Sequence, residues 1–413
     1  MSGTWLRRYL GAPMGGRLAA GFALGALTGA LIGPPVTVVR PLGDLLVRLL
    51  TVLVLPIVVC TIVTGLGAIT PEALRRVGAR SVALYAGASA AATALGLAVA
   101  LLLRPGAGMT LPGAHAPPLA PPPGSFLDAL VPANVVAALA EGQLLPVMVF
   151  TVPFALAIAR LRRSGAARQA DTVHAFFDGC GRASHVMLEG VMYYAPIGTF
   201  ALAAMTFAPR DGRVLAQFAT VLLAIYVAES TLCAALLLLL TVSVPPRSVI
   251  PAVRDVLVTA FATGSSAATL PMELEAAERR LGVDRRVFAF TLPLGVAVSK
   301  VGSAAYLAVA CVFAANAAGI ALVPGRVALI GALVWVGSVM TPPVGLGALV
   351  VLGFVLSQAG LPAAAAGVVA AIPFAGRLNT PVNSLGRLAT TTLVARATES
   401  VGAQITVGAL DAP

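Results

Sequence analysis

The chain has 413 residues, 59% of them hydrophobic and only 10% charged, with a mean hydropathy of +0.95. Soluble domains carry roughly a quarter charged residues, so this composition excludes a soluble globular protein. The net charge of +11 would suit nucleic acid or anionic lipid if it formed one patch, but the arginines fall in alternate connecting segments.

Met1 to Leu18 reads as a short Arg-bearing amphipathic lead-in without the apolar core and small-residue cleavage site of a secretory signal, so the first span is expected to be retained. Three apolar blocks, Val82 to Leu103, Ala216 to Val244 and Val287 to Ala318, reach or exceed the roughly 20 residues that cross a bilayer as a helix. Six ordinary spans are predicted over 18–33, 45–68, 82–103, 144–160, 188–207 and 214–244. A Pro-rich stretch from Arg104 to Ser125 separates the third from the fourth and cannot be helical. Arg7, Arg8 and Arg17 precede the first span, Arg75, Arg76 and Arg80 follow the second, and Arg160, Arg162, Arg163 and Arg168 follow the fourth. Arg247 and Arg254 follow the sixth, and Arg279, Arg280, Arg285 and Arg286 come later. The intervening loops hold only Arg40, Arg104, Arg210, Arg213 and Arg326. The positive-inside rule then puts both termini in the cytoplasm of a multi-pass cell-membrane protein. The excess charge is topology, and no nucleic-acid partner is expected. Cys60, Cys180, Cys233 and Cys311 are far apart in sequence and lack metal-ligand spacing, so they are read as structural thiols, with no cofactor and no metal.

Beyond Arg254 the apolar runs are broken in their middles by polar and small residues: Thr263 to Ser266, Ser299 to Ser303, and Thr341-Pro342-Pro343 with Gly345 and Gly347. Backbone inside hydrocarbon must satisfy its own hydrogen bonds, so such interruptions are tolerated only where protein or a watery cavity surrounds them. Two re-entrant hairpins and one broken helix follow. Small residues alone would signal close helix packing. Three interruptions that mix hydroxyls with Gly or Pro point instead to the midplane binding site of a secondary transporter.

Leu42 to Ile57 (LGDLLVRLLTVLVLPI), Asn134 to Pro146 (NVVAALAEGQLLP), Tyr194 to Gly198 (YAPIG), Ser265 to Pro271 (SSAATLP) and Phe290 to Gly295 (FTLPLG) resemble, in order and spacing, the signatures of the dicarboxylate/amino acid:cation symporters. That family includes the archaeal aspartate and animal glutamate transporters. The resemblance implies an all-α polytopic membrane protein with eight transmembrane helices and two re-entrant hairpins, assembled as a homotrimer and working as an elevator. Residues 1–80 and 105–212 would form the scaffold. Residues 81–104 and 213–400 would form the moving transport domain, and 401–413 a cytoplasmic tail. Substrate contacts would come from Ser265, Ser266, Ser303, Thr341, Gly347, Asn379, Thr380 and Asn383.

The departures concern charge. Where the family's broken seventh helix reads Asn-Met-Asp-Gly-Thr, this chain has Ser299-Lys300-Val301-Gly302-Ser303. In the eighth helix the family's amine-binding Asp, carboxylate-binding Arg, Thr, Asn and sodium-binding Asp align without gaps to Gly376, Asn379, Thr380, Asn383 and Arg387. A two-residue shift would recover Arg377 as the Arg, but it would rotate the helix by about 200°, so the gapless register is preferred. Tyr85, Ser89, Ser299 and Asn383 are left as remnants of sodium sites, with Ala88 where a Thr is usual. No Asp or Glu lies between Asp284 and Glu399, so the expected site holds no carboxylate, and Lys300 is the only lysine beside 26 arginines. Sodium wants oxygen ligands, preferably some anionic.

Lys300 and Arg387 are therefore read as tethered cations where relatives recruit sodium, with Glu229 of the sixth span the alternative partner for Lys300. The predicted function is sodium-independent transport of a small organic anion, a dicarboxylate or an acidic or neutral amino acid, with a proton carried through Lys300. Burial favours its neutral amine and an arriving carboxylate favours its ammonium. Conventional sodium symport is the alternative within the class, and an anion channel the alternative outside it. An intramembrane enzyme is disfavoured: there is no H-E-x-x-H, no pair of membrane aspartates, and no third group to orient Ser299-Lys300.

Overall fold

The structure is a computed structural model that describes residues 14–67, 78–109, 133–141, 144–162, 164–208, 212–242, 244–341, 347–362, 364–372 and 375–410. The Pro-rich stretch beyond residue 109, the tip at 342–346 and the histidine at 115 lie outside the described residues. Among the described residues every regular element is helical.

The first group of helices is α1 (Met14–Ile32), α2 (Arg40–Gly67), the short α4 (Val135–Ala140), α5 (Leu144–Leu161) and α6 (Ala167–Phe207), with α3 (Ala79–Leu103) placed elsewhere. A 3-10 turn, Pro34–Val39, links α1 to α2. The predicted fifth span at 188–207 is the second part of α6, whose 41 residues bend by 50° near Met192. Glycines 21, 25 and 29 recur every four residues on one face of α1. A Cβ at any of them would collide with the backbone carbonyls of Pro196, Phe200 and Ala204, so their absence lets α1 lie backbone to backbone on α6. α2 packs on the same helix and on α5.

The second group is centred on α11 (Val301–Ala317), of which every residue but Asn316 is buried. A helix that is apolar all round belongs in the interior. Around it pack α3, α7 (Gly212–Leu240), α12 (Pro324–Val339), α13 (Gly347–Gln358) and α15 (Asn379–Leu410). Gly96 brings α3 against it, because a Cβ there would stand 2.7 Å from the carbonyl oxygen of Ala305. α8 (Pro246–Thr263) and α9 (Ser266–Glu275) pack on each other, on α15, and on α10 (Arg285–Val298), with a π-helical turn at Ala276–Arg280. The short α14 (Ala364–Ala371) precedes α15 and touches α6. By length and composition Ala79–Leu103, Ala216–Leu240 and Arg285–Ala317 can each cross a membrane. Leu102, Leu238 and Val258 point outward and exposed, as lipid-facing side chains do.

Candidate functional site

The turn between α8 and α9 is built by its own side chains. Gly264 takes φ +63°, the left-handed conformation that ends a helix without a Cβ penalty, and its N–H closes on the Ala260 carbonyl at 2.9 Å. Ser265 caps α9, its Oγ accepting from the Ala268 N–H at 3.3 Å, while Thr269 Oγ1 donates to the Ser265 carbonyl at 2.7 Å. The N-terminus of α9, with Ser266 as its first residue, is thereby fixed toward α15.

The span containing α10 and α11 breaks at two residues, extended Ser299 and Lys300, which begins the second half as its N-cap. A break leaves N–H groups without intrahelical partners. One is taken by α15: the Gly302 N–H donates to Asn383 Oδ1 at 2.9 Å, and Asn383 Nδ2 donates to Ser303 Oγ at 3.3 Å. Asn383 and Ser303 therefore meet, as do the two helices that carry them. A Cβ at Gly302 would stand 2.5 Å from the Asn379 carbonyl oxygen, so α11 reaches α15 only because residue 302 is glycine.

One turn further along α15, Arg387 is wholly buried. Its Nε donates to Glu273 Oε2 at 2.8 Å and its Nη2 to Glu273 Oε1, a two-pronged pair with a carboxylate that is itself wholly buried. Ser384 Oγ accepts a further bond at 3.0 Å and Ser266 Oγ another at 3.4 Å. The aliphatic stem crosses Gly295, where a Cβ would lie 2.8 Å from Arg387 Cγ and 2.6 Å from Tyr85 Oη. Tyr85 Oη donates to the Thr291 carbonyl at 2.9 Å, and the Thr291 and Thr391 hydroxyls share a hydrogen bond at 2.8 Å. The expectation of a carboxylate-free site is thus corrected: Glu273 lies just outside the acid-free sequence window, and α9 folds it back onto Arg387. The guanidinium is not an open charge awaiting an anion.

Such a broken span, flanked by a tight helical turn and crossed by α15, is matched over residues 14–397 by the model of the sodium:dicarboxylate symporter family. The chain belongs to that family. Over 375 residues it is 28% identical to the neutral amino acid transporter B(0) of Mus musculus, covering 78% of this chain and 67% of the relative. Over 343 residues it is 30% identical to the same transporter of Oryctolagus cuniculus, covering 72% and 62%. Over 327 residues it is 27% identical to the proton/sodium-glutamate symport protein of Geobacillus stearothermophilus, covering 73% and 74%. The chain thus spans about two-thirds of the mammalian relatives. Membership makes it a membrane-embedded secondary transporter and not an enzyme.

The remaining charged positions fall around this frame of the symporter. Lys300 is buried, and its Nζ donates to the Val296 carbonyl at 2.7 Å within the electrostatic reach of both Arg387 and Glu273. The three groups sum to one positive charge. Glu229, the sequence alternative for pairing Lys300, is buried on α7 with no hydrogen-bond partner on either oxygen. Arg377 Nη1 donates to the Phe261 carbonyl at 3.3 Å near the end of α8. Asn379 and Thr380 are buried at the start of α15, Thr341 is buried with an unpartnered Oγ1, and Gly347 opens α13. Ser89 and Ser299 are buried with unpartnered hydroxyls. Glu273, Ser384 and Thr391 were missed from sequence. The signal for Glu273 was available: an acid two residues after Pro271 in a hairpin expected to enter the membrane.

Proposed function

We propose that this symporter-family chain carries a small organic anion, a dicarboxylate or an acidic or neutral amino acid, and that Arg387 stands in place of a coupling cation so that sodium is not required. The observation that carries the proposal is the burial of Arg387 against Glu273, Tyr85 and Gly295. A cation about 4 Å from an arginine is repelled by roughly 4 kcal/mol at an effective dielectric constant of about 20. The carboxylate that could attract it already receives two guanidinium N–H groups. Guanidinium stays charged in proteins, so Arg387 is a constant positive group, whereas Lys300 can change its charge as substrate arrives. Proton coupling through Lys300 belongs to the proposal.

The packing of α1, α2, α5 and α6 apart from the cluster around α11 supports an elevator, with 81–104 and 213–400 moving against 1–80 and 105–212. The eight-span, two-hairpin layout, the homotrimer and cytoplasmic termini in the cell membrane belong to the same reading. Conventional sodium symport is favoured by one observation, the family's own description. The test is uptake by liposomes holding the purified chain, over dicarboxylates, monocarboxylates and amino acids, with sodium exchanged for choline at constant pH and voltage. Uptake is expected to persist; its collapse in choline selects sodium symport.

A further inference from the structure

We propose that Glu229 is the counter-charge for a positively charged nitrogen on the substrate, which makes the cargo a zwitterion of the amino-acid kind rather than a simple carboxylate. The inference rests on the carrier reading above and narrows its substrate class.

Glu229 sits in the middle of α7, wholly buried, and neither carboxylate oxygen has a hydrogen-bond partner. A carboxylate taken out of water without a partner is among the costliest arrangements a fold can keep, so something must answer it. The buried cations of the same helix cluster are committed: Arg387 to Glu273, and Lys300 by its bond to the Val296 carbonyl. A metal ion is a poor occupant, since no group of three His, Cys, Asp or Glu side chains gathers anywhere among the described residues.

The surroundings connect Glu229 to the site. Tyr226, one turn earlier on α7, and Tyr306 on α11 both lie in its electrostatic field. The Tyr306 ring borders the space left by Gly376, where a Cβ would stand 4.0 Å from Tyr306 Cε2 and 3.4 Å from Asn379 Nδ2. Asn379 Oδ1 is a second buried acceptor without a donor. This corner of the transporter therefore offers three acceptor atoms with nothing to accept from, which suits an ammonium with three N–H groups. Arg377, half-buried just before α15, acts on Tyr226 with the opposite sign. A molecule bearing both an ammonium and a carboxylate meets both charges, whereas a dicarboxylate leaves Glu229 bare.

The experiment compares matched ligands that differ only in the amine, L-aspartate against succinate and L-serine against 3-hydroxypropionate, by calorimetry on the purified full chain and by uptake into liposomes. The parent is expected to prefer the amine-bearing member of the pair it carries by about tenfold or more, as a buried charge-assisted pair predicts. Glu229→Gln should shrink that ratio below about threefold, and Glu229→Asp, which keeps the charge on a shorter stem, should hold an intermediate ratio. A ratio unchanged in Glu229→Gln overturns the assignment, and so does a parent that binds each pair equally. A parent that neither binds nor takes up any of the four overturns the carrier reading itself.

Discussion

Removing the Glu273 carboxylate tests whether the buried pair is the keystone of the site. Arg387 and Glu273 have no solvent exposure, and the guanidinium makes two bonds to the carboxylate and two weaker ones to Ser384 and Ser266. At about 4 Å between charge centres their attraction is about 4 kcal/mol for an effective dielectric constant of about 20. Each ion gave up several kcal/mol of hydration to reach that place, so the pair itself adds little net stability. Glu273→Gln keeps the shape and deletes the charge, leaving Arg387 buried and uncompensated. It should destabilise the chain by about 3–5 kcal/mol. Arg387→Met should cost a similar amount, because it strands Glu273 instead. The double variant Glu273→Met with Arg387→Met should return to within about 1 kcal/mol of the parent or exceed it. The coupling energy of the cycle is then close to the cost of either single change. Unfolding in mixed micelles, followed for all four proteins, measures it. A Glu273→Gln protein within about 1 kcal/mol of the parent would refute the argument, since the arginine would then have water or another partner.

Arg387→Asp places a second carboxylate beside Glu273 and Tyr85; substrate binding should then become sodium-dependent, read as affinity in sodium against choline. Lys300→Met should make substrate binding independent of pH, whereas Lys300→Arg should keep affinity for anions and flatten its pH profile; a Lys300→Met protein with the parent's affinity and profile removes the proton from this residue. Gly25→Leu should separate α1 from α6, because the Phe200 carbonyl occupies the space a side chain needs; loss of folded protein in detergent checks it, with Gly87→Leu, which faces open space, as the neutral control. Asn383→Leu removes the acceptor of the Gly302 N–H and strands a buried donor; a loss of about 1–3 kcal/mol in the same unfolding assay is expected.

The elements legible in the sequence are those whose cause is local. The turn at Gly264 and Ser265 is announced by a glycine followed by a capping serine, and the break at Ser299 and Lys300 by polar residues inside an apolar run. The length of α6 was not legible, because the polar first half, Ala167 to Glu189, carries no span signal and is helical through its continuity with the apolar second half. The pairing of Arg387 was hidden for a different reason. Its partner lies 114 residues away on another helix, and a search for carboxylates near Lys300 along the chain stops short of Glu273. The α1 stripe of Gly21, Gly25 and Gly29 was present as a motif, but its target on α6 is a run of backbone carbonyls, which no side-chain pattern advertises.

A cation that is part of the polypeptide makes a round trip. A sodium ion is picked up on one side of a membrane and left on the other, and the gradient it dissipates drives the cargo. The guanidinium of Arg387 rides out with the loaded carrier and back with the empty one. In a carrier working as proposed, its passage through the membrane potential, worth about 2.3 kcal/mol per unit charge per 100 mV, cancels over the full cycle. The charge left behind per turnover is then that of the substrate and of any proton that accompanies it. The sign of the current across a voltage-clamped membrane would report the cargo's own net charge.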